Sequence, residues 1–192
     1  MEIDYVPKKL LSQKTFLNSY EQKIGQITIK EVPNFDIFSM AIPNGNETLV
    51  TKQINKLLNV KIPGSGQSVI CPDLDTRLIR LANDQLFVMH DSKTNPLPFN
   101  VMDYVYLTEQ SDAWVIIKIS GLTVETCLER MCPIDISRDH FKVNQVARTV
   151  MEYLSVIIIK VEQDSFLLMS PSSSSLSFLQ TIETSAKHIL PY

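Results

Sequence analysis

The sequence predicts an α+β fold in which antiparallel sheets carry packed helices. Three observations lead to this prediction. Short apolar strands come in pairs joined by turn residues, which is typical of antiparallel hairpins. Helical spacing of apolar residues is confined to a few short segments. The order is strand, helix, strand, strand in the first half and strand, helix, three strands, helix in the second, which favours helices packed on one face.

The chain divides into an N-terminal arm and two subdomains. Residues 1–26 are polar with scattered apolar side chains and no sustained period, so we interpret them as an arm. A connector that contains two prolines, 91–98, separates two small α+β subdomains. We place these subdomains at 27–92 and 93–192.

The first subdomain begins with two predicted strands. The alternating segment 27–32 predicts one, and 35–42 predicts another that ends at a turn over 43–45. Asn46 and Glu47 then open a helix, and after a loop at 61–66 the strands 78–81 and 86–89 form a hairpin. The helix is predicted to bury an apolar stripe of Leu49, Val50, Ile54, Leu57 and Leu58.

The second subdomain continues the pattern. Strands at 105–107 and 114–120 are predicted to pair as a hairpin, and a helix over 124–131 is stopped by Cys132 and Pro133. Strands follow at 146–150, 154–161 and 166–169, with Asp164 in the last hairpin turn. Ser170 and Pro171 are predicted to begin the C-terminal helix, with Ser170 as its N-cap. Its predicted buried face consists of Leu176, Leu179, Ile182 and Ala186.

Composition and charge exclude several classes of protein. The chain of 192 residues is 44% hydrophobic and 20% charged, which allows a sizeable core. A net charge of −3 lacks the basic excess of nucleic-acid-binding proteins. The longest apolar run, 154–161, is shorter than the roughly 18 residues of a membrane span. The N-terminus lacks a signal-peptide pattern, and three cysteines form no disulfide framework. We therefore expect a cytoplasmic protein.

Several segments carry residue types that occur in functional sites. The loop 63–67 has two glycines but no helix after it, so a flexible loop is preferred to a phosphate cradle. Cys127 and Cys132 are five apart and Cys71 is isolated, which favours small buried residues over a zinc or redox site. The scattered histidines His90, His140 and His188 add no ligand cluster.

Two further segments have simple structural interpretations. Asp135, Asp139 and His140 are close in sequence, but Asp135 follows a helix end and is expected to bond turn amides. The serines at 170–175 suit helix capping, and Trp114 suits a core or an interface. We therefore predict no catalytic, cofactor-binding or metal-ligating residues in this chain. Apolar residues that could bury against a partner are Tyr5, Leu10, Leu11, Phe16, Leu97, Phe99, Val101 and Met102.

The segment from Gln110 to Ile189 resembles the gamma subunit of heterotetrameric sarcosine oxidase. That family shows a tryptophan-containing turn into a strand, a glycine-led helix, a Cys-Pro-Leu/Ile-Asp-Leu/Ile motif, an Ala-Gln/Arg-Thr strand, then paired strands and a helix. The matching positions here are Asp112-Ala-Trp114, Gly121, Leu128, Cys132-Pro133-Ile134-Asp135-Ile136, Phe141, Ala147-Arg148-Thr149, 154–159 and 166–169. The first half agrees at Val32-Pro33, Leu58, Ile62-Pro63 and near Leu86.

The resemblance implies a fold similar to the folate-binding domains of glycine-cleavage T-proteins. It also implies assembly with alpha, beta and delta subunits, which would hold FAD, FMN, NAD, zinc and tetrahydrofolate. This chain would then be a non-catalytic gamma subunit that stabilises the flavin- and folate-bearing subunits. The complex would oxidatively demethylate sarcosine or a related N-methyl amine.

Two alternatives remain open at this point. Leu122 and Ala113 stand where the family usually has Pro and Glu, which leaves room for a sister complex of the N-methylglutamate dehydrogenase type. A stand-alone tetrahydrofolate-binding, T-protein-like protein for aminomethyl or methyl transfer would need a carboxylate beside the pterin, for which Asp135 is the candidate. An unrelated binding module is the third hypothesis.

Overall fold

The computed structural model of the protein describes residues 15–71, 75–91 and 105–190, which form two antiparallel sheets and three α-helices. The predicted α+β class with antiparallel sheets is confirmed. The strands are β1 (Glu21–Ile24), β2 (Ile27–Glu31), β3 (Phe35–Ala41), β4 (Gln67–Cys71), β5 (Thr76–Arg80), β6 (Gln85–Asp91), β7 (Tyr106–Glu109), β8 (Trp114–Ser120), β9 (Val146–Met151), β10 (Leu154–Glu162) and β11 (Ser165–Pro171). The helices are α1 (Glu47–Leu58), α2 (Val124–Glu129) and α3 (Ser175–His188).

The two sheets face each other and carry helices on their outer faces. The six-stranded sheet has the order β1-β2-β8-β11-β10-β9, and the five-stranded sheet has the order β4-β5-β6-β3-β7. Between them lies an apolar layer with Ile79 and Phe87 from one sheet and Ile157 and Met169 from the other. Helices α2 and α3 pack on the outside of the six-stranded sheet, and α1 packs on the outside of the five-stranded sheet. Since strands of this sandwich are buried on both faces, apolar runs such as that of β10 are continuous.

The sheets exchange strands across the predicted subdomain boundary at 92/93. Strands β1 and β2 precede this boundary, yet they complete the sheet made by β8 to β11. Strand β7 follows it, yet it pairs with β3 in the five-stranded sheet. Strand β1 lies in the predicted arm and was missed because only Ile24 of its four residues is buried, so the sequence shows no apolar alternation there.

Two of the three predicted hairpins form. Strands β5 and β6 pair with Ile79 opposite Phe87, and β10 pairs with β11. The predicted hairpin between 105–107 and 114–120 is wrong. A 3-10 turn at Ser111–Ala113 separates β7 from β8. The chain passes there from one sheet to the other, so that β8 pairs with β2 and β11 instead.

The C-terminal helix begins later than predicted. Strand β11 continues through Pro171, which lies opposite Trp114, so Ser170 is a fully buried strand residue and not an N-cap. Pro171 is tolerated because it is the last strand residue, beyond the part of β11 that pairs with β10. The prediction that Leu176 is buried is also wrong, since its side chain is 66% exposed. Phe178 takes its place in the core, together with the correctly predicted Leu179, Ile182 and Ala186.

The other helices agree with prediction apart from their edges. Helix α1 buries Val50, Ile54 and Leu58, whereas Leu49 is half-exposed. Helix α2 ends at Glu129, two residues before the predicted end. No helix in the described ranges is long and apolar enough to cross a membrane.

Gly121 makes the turn from β8 into α2. Its φ of +134° is a conformation that side-chain-bearing residues rarely adopt. A Cβ atom at this position would lie 1.9 Å from the carbonyl oxygen of Gln26, in the β1–β2 turn. The turn therefore depends on the missing side chain.

Candidate functional site

The side chains of Asp135, Ser137 and His140 meet on an exposed loop between α2 and β9. His140 Nδ1 lies 2.8 Å from Asp135 Oδ2 and 3.2 Å from Ser137 Oγ. Asp135 and Ser137 both contact the same ring nitrogen, Nδ1. A proton relay from serine to carboxylate needs the serine at one ring nitrogen and the carboxylate at the other. Asp135 Oδ1 also accepts the Ser137 amide at 3.0 Å. The cluster is therefore a solvated turn, and the predicted turn role of Asp135 is confirmed.

The carboxyl group of Asp135 is expected to titrate below the ordinary aspartate range. Hydrogen bonds from the Ser137 hydroxyl and amide, helped by His140, lower its pKa. A lowered pKa in the folded state means that the stabilising contribution is present above the unfolded pKa and is lost as pH falls through the folded one. An NMR pH titration of the Asp135 carboxyl carbon measures this shift. Ser137→Ala should raise the pKa, and an unchanged value in that variant would contradict the assignment.

The three cysteines are buried free thiols, in agreement with the prediction of small buried residues. Burial raises the pKa of both Cys127 and Cys132, so these thiols are neutral and poorly nucleophilic. The Cys127 carbonyl accepts a hydrogen bond from Ser185 Oγ, which ties α2 to α3. In the described parts of the chain, no three His, Cys, Asp or Glu side chains are grouped as metal ligands.

The remaining segments singled out in the sequence have structural positions. Residues 63–66 form the predicted loop, whereas Gln67 already belongs to strand β4. Trp114 is half-buried and meets Phe87 edge to face, with ring centroids 5.9 Å apart. Phe16 packs against the core. The other predicted partner-contact residues, Tyr5, Leu10, Leu11, Leu97, Phe99, Val101 and Met102, lie outside the described residues.

Glu31 is a buried carboxylate that the sequence analysis did not single out. It is 3% exposed and accepts three backbone amides. Its Oε1 takes those of Phe16 at 2.7 Å and Leu17 at 3.0 Å, and its Oε2 takes that of Ser19 at 2.8 Å. These bonds hold residues 16–19 against the six-stranded sheet, where Leu17 is buried in the core.

Glu31→Ala should lower the free energy of unfolding by about 2–3 kcal/mol, because the three amides lose their acceptor. Exposed Glu21 of β1, which pairs with Lys30, is the matched control: Glu21→Ala should cost less than about 1 kcal/mol. Urea unfolding measures both values. Hydrogen exchange at residues 16, 17 and 19 should accelerate in the first variant alone. Equal effects of the two substitutions would refute the anchoring role.

Lys160 is a second buried charge with a partner. Its side chain on β10 is 2% exposed, and Nζ lies 2.9 Å from Glu125 Oε1 on α2. The same ammonium lies 5.1 Å from the centroid of the Phe166 ring. Arg138 continues the network, since it lies 3.5 Å from Glu125 Oε2 and 2.6 Å from Asp164 Oδ1. The network therefore fixes α2 on the sheet beneath it.

The sequence contains patterns that indicate burial of both Glu31 and Lys160. Glu31 follows Ile27 and Ile29 at intervals of two, which places all three on one face of an alternating strand. Lys160 interrupts the longest apolar run of the chain. A charged residue at a core position of a strand predicts a buried partner, but the sequence does not identify that partner.

A groove runs along α3 on the surface of the protein. This α3 groove has a volume of about 560 Å³ and lies between α3, the end of α2 and the β9–β10 turn. Tyr153 at its edge is 95% exposed, and Leu176 at the start of α3 is 66% exposed. The groove is lined by Arg130, Met131, Glu152, Tyr153, Ser177, Gln180, Thr181, Thr184, Ser185 and His188.

Some polar groups of the α3 groove bond within a helix or between α2 and α3. Thr181 and Thr184 donate to the carbonyls of Ser177 and Gln180, one turn earlier. Arg130 Nη2 lies 3.4 Å from His188 Nδ1, at the C-terminal ends of α2 and α3, where cations offset the helix dipoles. The groove is therefore a mostly polar concave surface with one highly exposed aromatic side chain, Tyr153.

Comparison with known proteins gives a fold and no family. No family model matches the chain, and no curated protein matches its sequence. The structure is similar to a chain of the heterotetrameric sarcosine oxidase from Corynebacterium sp. U-96 in complex with pyrrole 2-carboxylate. The TM-score is 0.75 at 14% identity, with 91% of each chain covered.

A second solved structure shares the fold over part of its length. The glycine cleavage system aminomethyltransferase T from Bartonella henselae matches with a TM-score of 0.59 at 11% identity. The match covers 79% of this chain and 44% of that one, so this chain spans less than half of the aminomethyltransferase. The chain thus has the α+β fold found in a chain of a heterotetrameric sarcosine oxidase and in part of an aminomethyltransferase.

Proposed function

We propose that this chain is a non-catalytic, gamma-type subunit of a heteromeric oxidase or dehydrogenase that demethylates sarcosine or a related N-methyl amine. The observation that gives this proposal most support is that the structural similarity covers nearly the full length of both chains. The similarity to a chain of the heterotetrameric sarcosine oxidase extends over 91% of both chains. A subunit of similar size and fold therefore exists within a complex of that kind.

The use of buried charge supports a structural role. The carboxylate of Glu31 holds backbone amides, and Lys160 holds Glu125. Catalytic acids and bases in enzymes commonly point into a cleft with perturbed pKa values. Here these two buried groups stabilise packing between elements of the chain itself.

The α3 groove is the surface that we assign to contact with another subunit. Tyr153 exposes apolar area in this groove, and a partner would remove that area from water. In this proposal the alpha, beta and delta subunits hold FAD, FMN, NAD, zinc and tetrahydrofolate, and this chain holds none of them. The complex would reside in the cytoplasm.

Co-expression with the products of neighbouring genes tests the proposal. The tagged chain should elute with flavin-containing subunits at a fixed stoichiometry, and the complex should release formaldehyde from an N-methyl amine. Omission of this chain should lower the yield of the assembled flavoprotein and leave the turnover per flavin of the remaining complex unchanged. A chain that never associates with a flavoprotein would overturn the proposal.

Tetrahydrofolate binding distinguishes the subunit role from the alternative, a stand-alone folate-binding protein. The similarity to the aminomethyltransferase favours a folate-binding protein as the second candidate. Calorimetric titration of the isolated chain with tetrahydrofolate decides between the two. No saturable heat supports the subunit role, whereas tight binding by a monodisperse chain supports a stand-alone transfer protein.

A further inference from the structure

Arg77 is a buried guanidinium at the junction of the two sheets. Its side chain is 7% exposed and shares a strand face with Ile79, which lies in the layer between the sheets. Its Nη1 donates to Ser68 Oγ at 2.8 Å and to Asn144 Oδ1 at 3.0 Å. Two bonds from one nitrogen fix the plane of the guanidinium group.

Hydrogen bonds also hold the backbone beside the Arg77 side chain in place. The Ser68 amide donates to the Asn144 carbonyl at 2.7 Å, and the Val146 amide donates to the Gly66 carbonyl at 2.8 Å. These bonds join the start of β4 to the segment that enters β9, so the edges of the two sheets meet here. Arg77 is therefore held in a rigid frame and not on a mobile loop.

Among the described residues, no acceptor bonds to the opposite edge of the guanidinium group. Arg77 has hydrogen bonds only from Nη1, and none of its salt-bridge distances to carboxylates of the described residues falls within 4.0 Å. Four side-chain oxygens of the described residues are inaccessible to solvent and have no hydrogen bond, and neither Nε nor Nη2 of Arg77 belongs to this group. With 7% of its surface exposed, Arg77 is not completely enclosed by the described residues.

The charge of Arg77 is incompletely compensated. Ser68 and Asn144 are neutral acceptors, and burial lowers the pKa of the guanidinium from its ordinary value. A buried cation is stabilised when an anion supplies both charge and hydrogen bonds. The two parallel N–H groups on one edge match the two oxygens of a carboxylate.

We propose that the Nε–Nη2 edge of Arg77 is a binding site for one carboxylate group. The site goes beyond the subunit role, because it belongs to the isolated chain and needs no assembly. Its specificity follows from the fixed, planar group: a carboxylate presents one oxygen to each of the two parallel N–H groups, whereas chloride has a single acceptor atom. The carboxylate can come from a small molecule or from an aspartate or glutamate of a partner protein.

NMR titration of the full chain with acetate tests the site. The Nε–H signal of Arg77 should shift in a saturable manner at constant ionic strength, with sodium chloride as the reference salt. Arg80 on the same strand is the internal control, because its three donor nitrogens already bond to the carbonyls of Ala82, Pro63 and Asn83. Its signal should not follow the same saturation curve.

Arg77→Lys supplies the second measurement. Lysine keeps the charge but cannot present two parallel N–H groups, so the affinity for acetate should fall about tenfold or more, by the loss of one charge-assisted hydrogen bond. Arg80→Lys should leave the affinity unchanged. A linear shift of the Arg77 signal, equal to that of Arg80, would overturn the proposal. So would an Arg77→Lys variant that binds acetate as the wild type does.

The source of the carboxylate is resolved in the assembled complex. If a partner side chain occupies the site, acetate no longer shifts the Arg77 signal after assembly. If a small carboxylate occupies it, the saturable shift persists. Both results support the site, and the titration of the isolated chain decides whether the site exists even where no complex forms.

Discussion

Gly121→Ala should lower the free energy of unfolding by more than about 3 kcal/mol, which is a large fraction of the roughly 5–15 kcal/mol available to a domain. Two costs add. The φ of +134° is strained for alanine, and its Cβ would lie 1.9 Å from the backbone oxygen of Gln26. Because the obstacle is backbone, relief requires the β1–β2 turn to move away from α2. Urea unfolding of the two proteins measures the difference.

Gly45 provides the matched control for this substitution. It also has a positive φ, +90°, but a Cβ there would meet no atom within 4 Å. Gly45→Ala therefore carries the conformational cost alone, about 1 kcal/mol. Similar destabilisation by the two alanines would show that the close approach at Gly121 is unimportant.

Lys160→Ala should lower the free energy of unfolding by about 3–5 kcal/mol, because removal of the buried member of an ion pair leaves Glu125 with only its longer, 3.5 Å contact to Arg138. Lys160 is 2% exposed, and Glu125 loses its contact at 2.9 Å. Loss of the packing against Phe166 adds to the effect. Thermal and urea unfolding report the total change.

Two further variants separate charge from packing. Lys30→Ala breaks an exposed pair with Glu21 on the same sheet and should cost less than about 1 kcal/mol. Lys160→Met combined with Glu125→Leu removes both charges of the pair and keeps apolar volume, so most of the stability should return. If the double variant is as unstable as Lys160→Ala, the ion pair is not the cause.

The sequence predicted the elements that carry their own local signals. The β5–β6 and β10–β11 hairpins follow from apolar runs on either side of short polar turns. Helix α1 follows from the spacing of Val50, Ile54 and Leu58. In these cases the pairing partner is adjacent in the chain, so local pattern and final structure agree.

The predictions were wrong where pairing with a strand distant in sequence determines the local structure. Pro171 after Ser170 is typical of a helix start, but strand β8 pairs along this segment and keeps it extended. Strands β7 and β8 are adjacent in sequence, yet each pairs with strands far away in the chain. The same limit applies to the buried charges. The position of Glu31 on an apolar strand face could be predicted, but its contact with the amides at 16–19 could not.

The exchange of strands between the two sheets has a consequence for biosynthesis. Strand β2 needs β8, and β3 needs β7, so neither sheet is complete until residues well past the midpoint have left the ribosome. Pairings between such distant segments form slowly, since loop closure must come before the contacts that reward it. The nascent N-terminal half therefore exposes strand edges that attract chaperones or other chains. Folding of the first third of the chain therefore has to wait for strands β7 and β8 of the middle third.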